Sequence, residues 1–301
     1  MLSLLDEYHL YLKMEKSLSE NTIDGYERDL HKLKSYLNDA HIPLEEAKEE
    51  HLRDFIIEIA EIGINERSQA RLISSIKSFY KFLIYKDTIS IDPTELLESP
   101  KIGLRLPEVL SLEEIDKIIA SIDNSKPDGH RNRAIIEVLY GSGLRVSELI
   151  NLKISNIYFD EGYMLIEGKG NKQRLVPISD ESEKQIKLWN VQRNTMKIVK
   201  GNEDFLFLNL RGSKISRMAV FNITKSLAET AGINKNISPH TFRHSFATHL
   251  LENGANLRAI QQLLGHESIT TTELYTHIDV QYLRKTILEF HPMNKKSPLT
   301  P

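Results

Sequence analysis

Apolar residues recur every three or four positions along roughly the first 85 residues, and this spacing places them on one face of an α-helix. Four such stripes follow one another: Leu4 to Leu12; Ile23, Tyr26, Leu30, Leu33 and Leu37; Leu52, Phe55, Ile56 and Ile59; and Leu72, Ile76, Phe79, Tyr80 and Leu83. A helix with one apolar face must bury that face against a neighbour. The pattern therefore predicts a small domain of four helices over residues 1–88.

The periodicity breaks down after this domain, over residues 89–108. This stretch has no sustained apolar period, and it contains these breakers of regular structure: Pro93, Pro100, Gly103 and Pro107. Helical spacing resumes at Ser111, which forms the pattern of a capping box with Glu114. We predict an interdomain linker over 89–108, a second domain over 109–291 and a disordered tail over 292–301.

The second domain is mainly helical but changes its period once. Between Tyr163 and Ile178, two short runs of alternating residues flank the sequence Gly168-Lys169-Gly170-Asn171. This arrangement predicts a β-hairpin with a glycine-rich turn, after which helical spacing continues to the end of the chain. The predicted fold class is mainly α with a small β-sheet, in which an all-helical domain precedes an α+β domain.

Composition limits the possible functions less than the motifs do. No apolar run approaches the roughly 18 residues that a membrane span needs, and the absence of cysteine fits a cytoplasmic protein without disulfides. The net charge of −3 argues against a uniformly basic surface, so any nucleic-acid contact must be local. If the chain binds nucleic acid, the candidate cations for that surface are Arg71, Lys77, Lys81, Lys172, Arg174 and Arg217, although each considered alone is more simply explained as a solvated charge.

Five points in the second domain carry polar residues that packing alone does not explain. The first is Arg145, which follows Gly141-Ser142-Gly143 and falls in the first turn of a predicted helix, where a cation opposes the helix dipole. Either a bound anion or a salt bridge to Glu148 would compensate this unfavourable interaction of the Arg145 charge with the helix dipole. The second is Lys169 between two glycines at the hairpin tip, where it is either a solvated turn lysine or free to reach a substrate.

The third point is the start of a helix at Ser238-Pro239, a good N-cap followed by a proline at the first helical position. His240 and Arg243 project on one face near its exposed amides, which form an anion site. The fourth is His266, which Gly265 places in a turn after a helix. The fifth is Tyr275; a tyrosine considered alone is usually structural.

Considered together, these six residues form a coherent set for phosphoryl transfer. Two arginines can hold the non-bridging oxygens of one phosphodiester by charge-assisted hydrogen bonds. Two histidines can donate to the same group or transfer protons, and a lysine can protonate a leaving oxygen. A tyrosine hydroxyl can attack phosphorus and hold it covalently. Positioning and electrostatics do most of the work in such reactions, so the set suffices without a metal.

At these residues the sequence resembles the tyrosine recombinase (phage integrase) family, especially its bacterial Xer-type members. The matching blocks, in order, are Ser142-Gly143-Leu144-Arg145-Val146-Ser147-Glu148-Leu149, Gly168-Lys169-Gly170-Asn171-Lys172, His240-Thr241-Phe242-Arg243-His244, Leu264-Gly265-His266, and Tyr275 nine residues after His266. The segment from Leu18 to Thr22, with Tyr26, Asp29 and Leu30, is similar to the family's SAM-like core-binding domain. The ending Phe290-His291-Pro292 resembles the XerD branch.

The resemblance implies a role for each member of the set. Arg145 and Arg243 would clamp the scissile phosphate, and Lys169 would be the general acid for the departing 5′-hydroxyl. His240 and His266 would assist by hydrogen bonding and proton transfer. Tyr275 would be the nucleophile and form a 3′-phosphotyrosyl intermediate. A second strand would then reverse the step, passing through a Holliday junction, with no metal or cofactor.

The resemblance also implies partners. The chain would bind a double-stranded DNA recombination site between its two domains and act in a homo- or hetero-tetramer with a second Xer-type recombinase. A helix over 279–290 would dock on a neighbouring subunit through Tyr282, Leu283, Ile287 and Leu288. Its task would be resolution of chromosome dimers in the cytoplasm, with an FtsK-like DNA translocase. An integrase of a mobile element would carry the same catalytic residues.

Two other classes of function compete with this hypothesis. A metalloenzyme could use His240, His244, His249 and His266, but no acidic ligand accompanies them at the spacing of a His-Glu-x-x-His site. A non-catalytic DNA-binding protein of the same fold would not need the complete set from Arg145 to Tyr275.

Overall fold

The computed structural model describes residues 3–100, 108–168, 173–265 and 277–293. The chain divides into two compact units, Met1–Arg105 and Leu106–Pro301. Unit 1 has four α-helices in its described part: α1 Leu4–Met14, α2 Glu20–Asp39, α3 Glu49–Glu61 and α4 Glu66–Tyr85. They coincide with the four apolar stripes, and the helical prediction for this part of the chain is confirmed.

The core of unit 1 forms where the stripes of α2 and α4 meet. Ile23, Leu30 and Leu33 of α2 are fully buried, as are Ile76 and Phe79 of α4. Burying a large apolar side chain contributes roughly 1.5–3 kcal/mol. Most of the helical stability therefore comes from this packing.

One of the predicted DNA-facing cations has a partner inside unit 1. The carboxylate of Asp29 is fully buried, and it accepts hydrogen bonds from Ser75 Oγ at 3.1 Å and from Arg71 Nη2 at 3.2 Å. Arg71 also donates to the carbonyl oxygen of Gly25 at 3.1 Å. Arg71 thus joins α4 to α2.

The first part of the predicted linker is built into unit 1. Thr94 and Leu97 are buried, and Leu97 belongs to the apolar core of this unit. On the other side, the amide of Leu110 donates to Ser245 Oγ at 2.9 Å inside unit 2. Each end of the linker region is therefore anchored to the unit that it adjoins.

Unit 2 combines eight α-helices in its described part with one small sheet. The helices are α5 Leu112–Ala120, α6 Gly129–Gly141, α7 Val146–Asn151, α8 Asp180–Arg193, α9 Arg217–Thr230, α10 Pro239–Glu252, α11 Leu257–Leu264 and α12 His277–Phe290. The capping box at the start of α5 is confirmed: the Glu114 carboxylate accepts from the Ser111 amide at 2.8 Å, and the Ser111 hydroxyl accepts from the Glu114 amide at 3.2 Å. The fully buried side chain of Trp189 on α8 donates to the Leu206 carbonyl at 2.8 Å.

The sheet has three antiparallel strands in the order β1-β2-β3: β1 Ile157–Tyr158, β2 Tyr163–Glu167 and β3 Gln173–Pro177. The predicted hairpin is present as β2 and β3, whose last described pair is Glu167 opposite Gln173. The sequence pattern did not predict β1, because two residues are too short to show a period.

The chain between α8 and α9 differs from the continuous helical spacing that the sequence predicts. It turns repeatedly and forms isolated β-bridges, one between Leu208 and Lys214. Leu206, Phe207 and Leu208 are all fully buried. A short apolar run that is buried on all sides has no period, so sequence spacing cannot assign its structure.

The predicted C-terminal helix is present as α12, and it packs on its own unit. Leu283 and Ile287 are 1% exposed within the core of unit 2, whereas Tyr282 and Leu288 are 50% and 42% exposed. Two of the four residues expected to contact a neighbouring subunit are therefore already buried in the core of their own chain. No helix in the described ranges has the length and apolar character needed to cross a bilayer.

The described chain continues past α12 as part of unit 2. His291 is fully buried, and its ring lies 4.7 Å from the ring of Tyr140. Pro292 is buried and Met293 packs partly against the core, so the first two residues of the predicted disordered tail belong to unit 2. Residues 294–301 of that tail lie outside the described residues.

A buried carboxylate on α6 makes the stability of unit 2 depend on pH. The side chain of Glu137 is fully buried; its Oε1 accepts from Arg133 Nε at 2.8 Å, and its Oε2 has no hydrogen-bond partner in the described chain. Burial raises the pKa of Glu137 to about 7, against the opposing effect of Arg133. A raised carboxyl pKa means that the folded state loses stability as pH rises from the unfolded pKa towards 7.

We expect Glu137→Gln to stabilise the protein at pH 8, because the amide removes the cost of a buried charge. The gain is on the order of 3 kcal/mol at pH 8 and under about 1 kcal/mol at pH 5, less the loss of the Arg133 pairing. Urea unfolding at the two pH values measures it. Glu183→Gln, on a part-buried carboxylate of α8 that pairs with Lys187, is the matched control. Equal effects of Glu137→Gln at both pH values would contradict the prediction.

Candidate active site

The centre of the site is the carboxylate of Glu148 on α7. The side chain of Glu148 is 2% exposed, and it accepts from Arg145 Nη1 at 2.8 Å and from the Arg145 amide at 2.8 Å. The salt bridge that was the alternative explanation for Arg145 is therefore present. Arg145 itself is the N-cap residue of α7, one position before the first turn that the sequence predicts.

Arg174 on β3 also bonds to Glu148. Its Nη1 and Nη2 donate to the two carboxylate oxygens at 2.7 and 2.9 Å, which is a bidentate pair. The side chain of Arg174 is 6% exposed. The expectation that it contributes to an exposed DNA surface is wrong, because it is buried in a polar network.

Arg243 on α10 completes the cluster. Arg243 Nη1 lies 3.8 Å from Glu148 Oε2 and donates to the carbonyl oxygen of Gly143 at 2.8 Å. Burial, with the nearby charge of Arg145, lowers the pKa of Arg243 to about 10, which leaves it charged at neutral pH. The structure thus brings together Arg145 and Arg243, which are 98 positions apart in sequence.

The three arginines also bind three consecutive carbonyl oxygens at the end of α11. Arg174 Nε donates to Leu263 at 3.1 Å, Arg243 Nη2 to Leu264 at 2.6 Å and Arg145 Nη2 to Gly265 at 3.0 Å. The last carbonyls of a helix have no partner within the helix and carry its partial negative charge. The arginines therefore satisfy these groups, and they fix the backbone directly before His266.

Two glycines permit this close approach. Gly265 ends α11 with φ +64°, and a Cβ there would lie 3.0 Å from Arg174 Cδ and 3.1 Å from its Nε. Gly143, with φ +60°, presents its carbonyl to Arg243, and a Cβ would lie 2.5 Å from the ring of Phe246. Both positions have a left-handed backbone, and a side chain would be tightly crowded at Gly265 and would clash at Gly143.

The cluster has excess positive charge. Three guanidinium groups face one carboxylate, so the charge sum of these four side chains is 3 − 1 = +2. Burial alone would raise the pKa of Glu148, but the hydrogen bonds and charges of Arg174 and Arg145 hold that pKa below its usual range. The helix end offsets only about half an elementary charge. An anion is the ligand that this arrangement favours.

His240 lies one turn before Arg243 on α10 and is exposed. The predicted helix start is confirmed: Ser238 is the N-cap residue and Pro239 is at the first position. Of the other histidines in the metalloenzyme hypothesis, His249 is buried and its Nδ1 lies 2.8 Å from the Tyr140 hydroxyl. Burial lowers the pKa of His249. Within the described chain, no group of three residues is arranged to hold a metal ion.

Lys169, His266 and Tyr275 lie outside the described residues. What the structure describes is their chain neighbours: the strands of the hairpin that carries Lys169, the carbonyl of Gly265 directly before His266, and α12, which begins two residues after Tyr275.

Sequence reasoning missed the role of Arg174 and saw Glu148 only as a possible partner of Arg145. A signal for Arg174 was present in the strand. Side chains alternate between the two faces of a strand, and Arg174 is two positions from the apolar Val176. Both are buried in the structure, so the period of two placed Arg174 on the inner face.

Comparison with known proteins agrees with this geometry. Residues 108–282 match the family model described as "Phage integrase family", and residues 5–87 match "Phage integrase, N-terminal SAM-like domain". The proteins named tyrosine recombinase XerD of Staphylococcus epidermidis and Staphylococcus aureus are 39% and 40% identical over 293 residues. Each alignment covers 97% of this chain and 99% of the relative.

Solved structures of DNA complexes share the fold. The XerH site-specific recombinase bound to a palindromic difH substrate, a post-cleavage complex, has a TM-score of 0.71 and 25% identity and covers 94% of this chain and 84% of that chain. The Tn1549 transposon integrase with circular intermediate DNA has a TM-score of 0.70 over 94% and 99% of the two chains. At 21% identity, this second likeness concerns the fold alone.

The two domain matches and the arginine cluster define the class: the chain belongs to the phage integrase family of tyrosine recombinases, enzymes of site-specific DNA recombination. Within that family it is Xer-type and lies on the XerD branch, because it aligns with XerD proteins along almost their whole length. The predicted family, the predicted fold class and the predicted enzyme class are thereby confirmed.

Proposed function

We propose that this recombinase cuts one DNA strand with the hydroxyl of Tyr275 and keeps the cut end as a 3′-phosphotyrosyl ester. The Tyr275 oxygen bonds to phosphorus while the bond to the 5′-oxygen breaks, so no phosphate bond energy is lost. The 5′-hydroxyl of a second strand then attacks the ester and releases the tyrosine. Two such exchanges, separated by a Holliday junction, recombine the duplexes.

The observation that carries the proposal is the pairing of Arg145 and Arg243 around Glu148. Both guanidinium groups donate hydrogen bonds to carbonyls at the end of α11, and both lie next to the carboxylate of Glu148. The three arginines and the one glutamate of the cluster together carry an excess charge of +2. Each guanidinium has five N–H donors, and the bonds described above use two on each residue. Donors therefore remain for the oxygens of a phosphodiester.

The other members of the set act on protons. Lys169 protonates the departing 5′-oxygen. His240 and His266 donate hydrogen bonds to the phosphate or transfer protons, including the proton that the Tyr275 hydroxyl loses as it attacks phosphorus. His240 is supported by its exposed position one turn before Arg243. Because the arginines stabilise the charge that develops on phosphorus, the step is proposed to proceed without a metal or cofactor.

We further propose the biological setting. Alignment with XerD proteins over nearly their full length supports a role in resolving chromosome dimers at a double-stranded recombination site. The active assembly is a tetramer, either of this chain or with a second Xer-type recombinase, in the cytoplasm. An FtsK-like DNA translocase is the proposed accessory factor.

A nicked suicide DNA substrate tests the chemistry. The nick lets the short cleaved fragment diffuse away, so the covalent protein–DNA complex accumulates. We expect a denaturant-stable complex in the presence of a chelator, with the DNA attached to the peptide that contains Tyr275. Mass spectrometry of the digested complex identifies the attachment residue. The substrate must carry the chain's own site, which is found by sequencing DNA that is covalently attached to the protein in cells.

The same experiment separates the competing functions. A protein that binds this DNA without chemistry gives a mobility shift but no denaturant-stable complex. A metal-dependent enzyme loses cleavage when the chelator is added. Attachment at a residue other than Tyr275 would overturn the assignment of the nucleophile but leave the class of reaction intact.

A further inference from the structure

Arg174 occupies an unusual place for a cation in a hairpin. It is the second residue of β3, five positions after Lys169 in the sequence, and only 6% of its side chain is exposed. Burying an ionised group is costly unless it is paired and hydrogen-bonded. The neighbouring Gln173 is exposed, whereas Arg174 faces inward. The contacts of Arg174 must therefore offset the cost of burying its charge.

Those contacts join three segments of unit 2. From β3, Arg174 reaches Glu148 on α7 by two hydrogen bonds and the Leu263 carbonyl at the end of α11 by a third. Gly265 lies against the same side chain, so that a Cβ there would be 3.2 Å from Arg174 Cζ. One residue therefore connects the hairpin of Lys169, the helix that follows Arg145 and the chain that leads to His266.

The bidentate bond also limits what Glu148 can do. A carboxylate has about four good acceptor positions on two oxygens. Arg174 uses one on each oxygen, and Arg145 uses the remaining positions through its amide and a single guanidinium N–H. Without Arg174, the carboxylate would be free to form a paired bond with Arg145 or to turn towards Arg243, which is 3.8 Å away.

We propose that Arg174 is a positioning residue for DNA cleavage, which acts by saturating Glu148 so that Arg145 and Arg243 keep their donors for the phosphate. This inference rests on the proposed function of the two arginines. A carboxylate released from Arg174 would compete with the scissile phosphate for the same guanidinium groups. DNA binding as a whole depends on many phosphate contacts, so the loss falls on the chemical step.

The test compares Arg174→Met with Arg193→Met. Arg193 is an equally buried arginine of unit 2, 3% exposed, whose guanidinium donates to the Phe205 and Glu203 carbonyls and not to Glu148. Both variants lose a buried arginine, so both are expected to lower the melting temperature. The rate constant for covalent complex formation is measured at saturating suicide substrate, and the dissociation constant for intact DNA is measured separately.

We expect Arg174→Met to lower the saturating rate constant by about 10- to 100-fold, with the dissociation constant within about threefold of wild type. Arg193→Met should leave both values near those of wild type. Arg174→Lys should resemble Arg174→Met, because one ammonium group cannot bond to both carboxylate oxygens in the paired geometry. If Arg174→Met does not fold, as judged by circular dichroism, Arg174→Lys carries the same comparison.

A double substitution tests whether Arg174 and Glu148 act on cleavage as one unit. If Arg174 acts through Glu148, Arg174→Met combined with Glu148→Gln should be no slower than the slower single variant. A double variant whose rate constant falls by the product of the two single effects would overturn the proposal. Saturating rate constants for Arg174→Met and Arg174→Lys equal to that of Arg193→Met would also overturn it. Failure of the wild-type protein to form any covalent complex would instead overturn the proposed function itself.

Discussion

Replacement of Tyr275 by phenylalanine is expected to abolish the covalent protein–DNA complex completely while leaving DNA affinity within a few-fold of wild type. The substitution removes one oxygen atom, and that atom is the proposed nucleophile. No neighbouring group can replace it, because the product of the first step is an ester of that oxygen. The phosphate contacts that dominate affinity are unchanged. Gel analysis under denaturing conditions measures the complex, and a mobility shift measures binding.

Tyr282→Phe is the matched control for this substitution. Tyr282 lies on α12, seven residues after Tyr275, and is 50% exposed. Removing its hydroxyl should leave both the covalent complex and the affinity unchanged. Continued trapping by Tyr275→Phe, at any rate above background, would mean that another residue attacks the phosphate. Loss of trapping by both variants would point to a disturbed α12 rather than to the nucleophile.

Replacement of Arg243 by alanine is expected to slow strand cleavage by about 10²- to 10³-fold at saturating DNA. The estimate corresponds to about 2.7–4 kcal/mol, the cost of removing one donor that stabilises a developing negative charge. Arg243 also donates to the Gly143 and Leu264 carbonyls, and alanine would leave both of these groups without that bond. Single-turnover cleavage of the suicide substrate measures the rate constant, and thermal unfolding measures the accompanying loss of stability.

Arg131→Ala provides the comparison for the stability effect. Arg131 on α6 is 5% exposed and donates to the Leu208 carbonyl at 3.2 Å, but it makes no bond to Glu148 or to the end of α11. We expect it to destabilise unit 2 and to leave the cleavage rate of the folded protein unchanged. A cleavage rate for Arg243→Ala within a few-fold of wild type would contradict the phosphate clamp.

The helical parts of the fold were largely predictable from the sequence. The four stripes of unit 1 became α1 to α4, and the Ser111 capping box begins α5 as predicted. These features are local, because the period of a helix and the bonds of a cap involve residues three or four positions apart. The stretch between α8 and α9 was not predictable, since its buried run has no period.

The chemical types in the site were also visible in the sequence, but their mutual contacts were not. The motif around Arg145 offered the Glu148 pair as one of two alternatives, because the partners are three positions apart. It could not predict that Arg174 and Arg243 bind the same carboxylate, since these residues come from a strand and a helix that meet only in the folded chain. Nor could it predict where α12 packs, because an apolar face does not specify its partner.

The sequence by itself thus determined the family, the helical periods and the hairpin, and it predicted the six candidate residues. The tertiary structure decided which charges share a partner: it buried Arg174, gave Glu148 three arginine neighbours and aligned one guanidinium with each of the carbonyls of Leu263, Leu264 and Gly265. The physical reason is range. Periodicity and capping depend on neighbours along the chain, whereas the balance of buried charge depends on groups that folding brings together from distant positions.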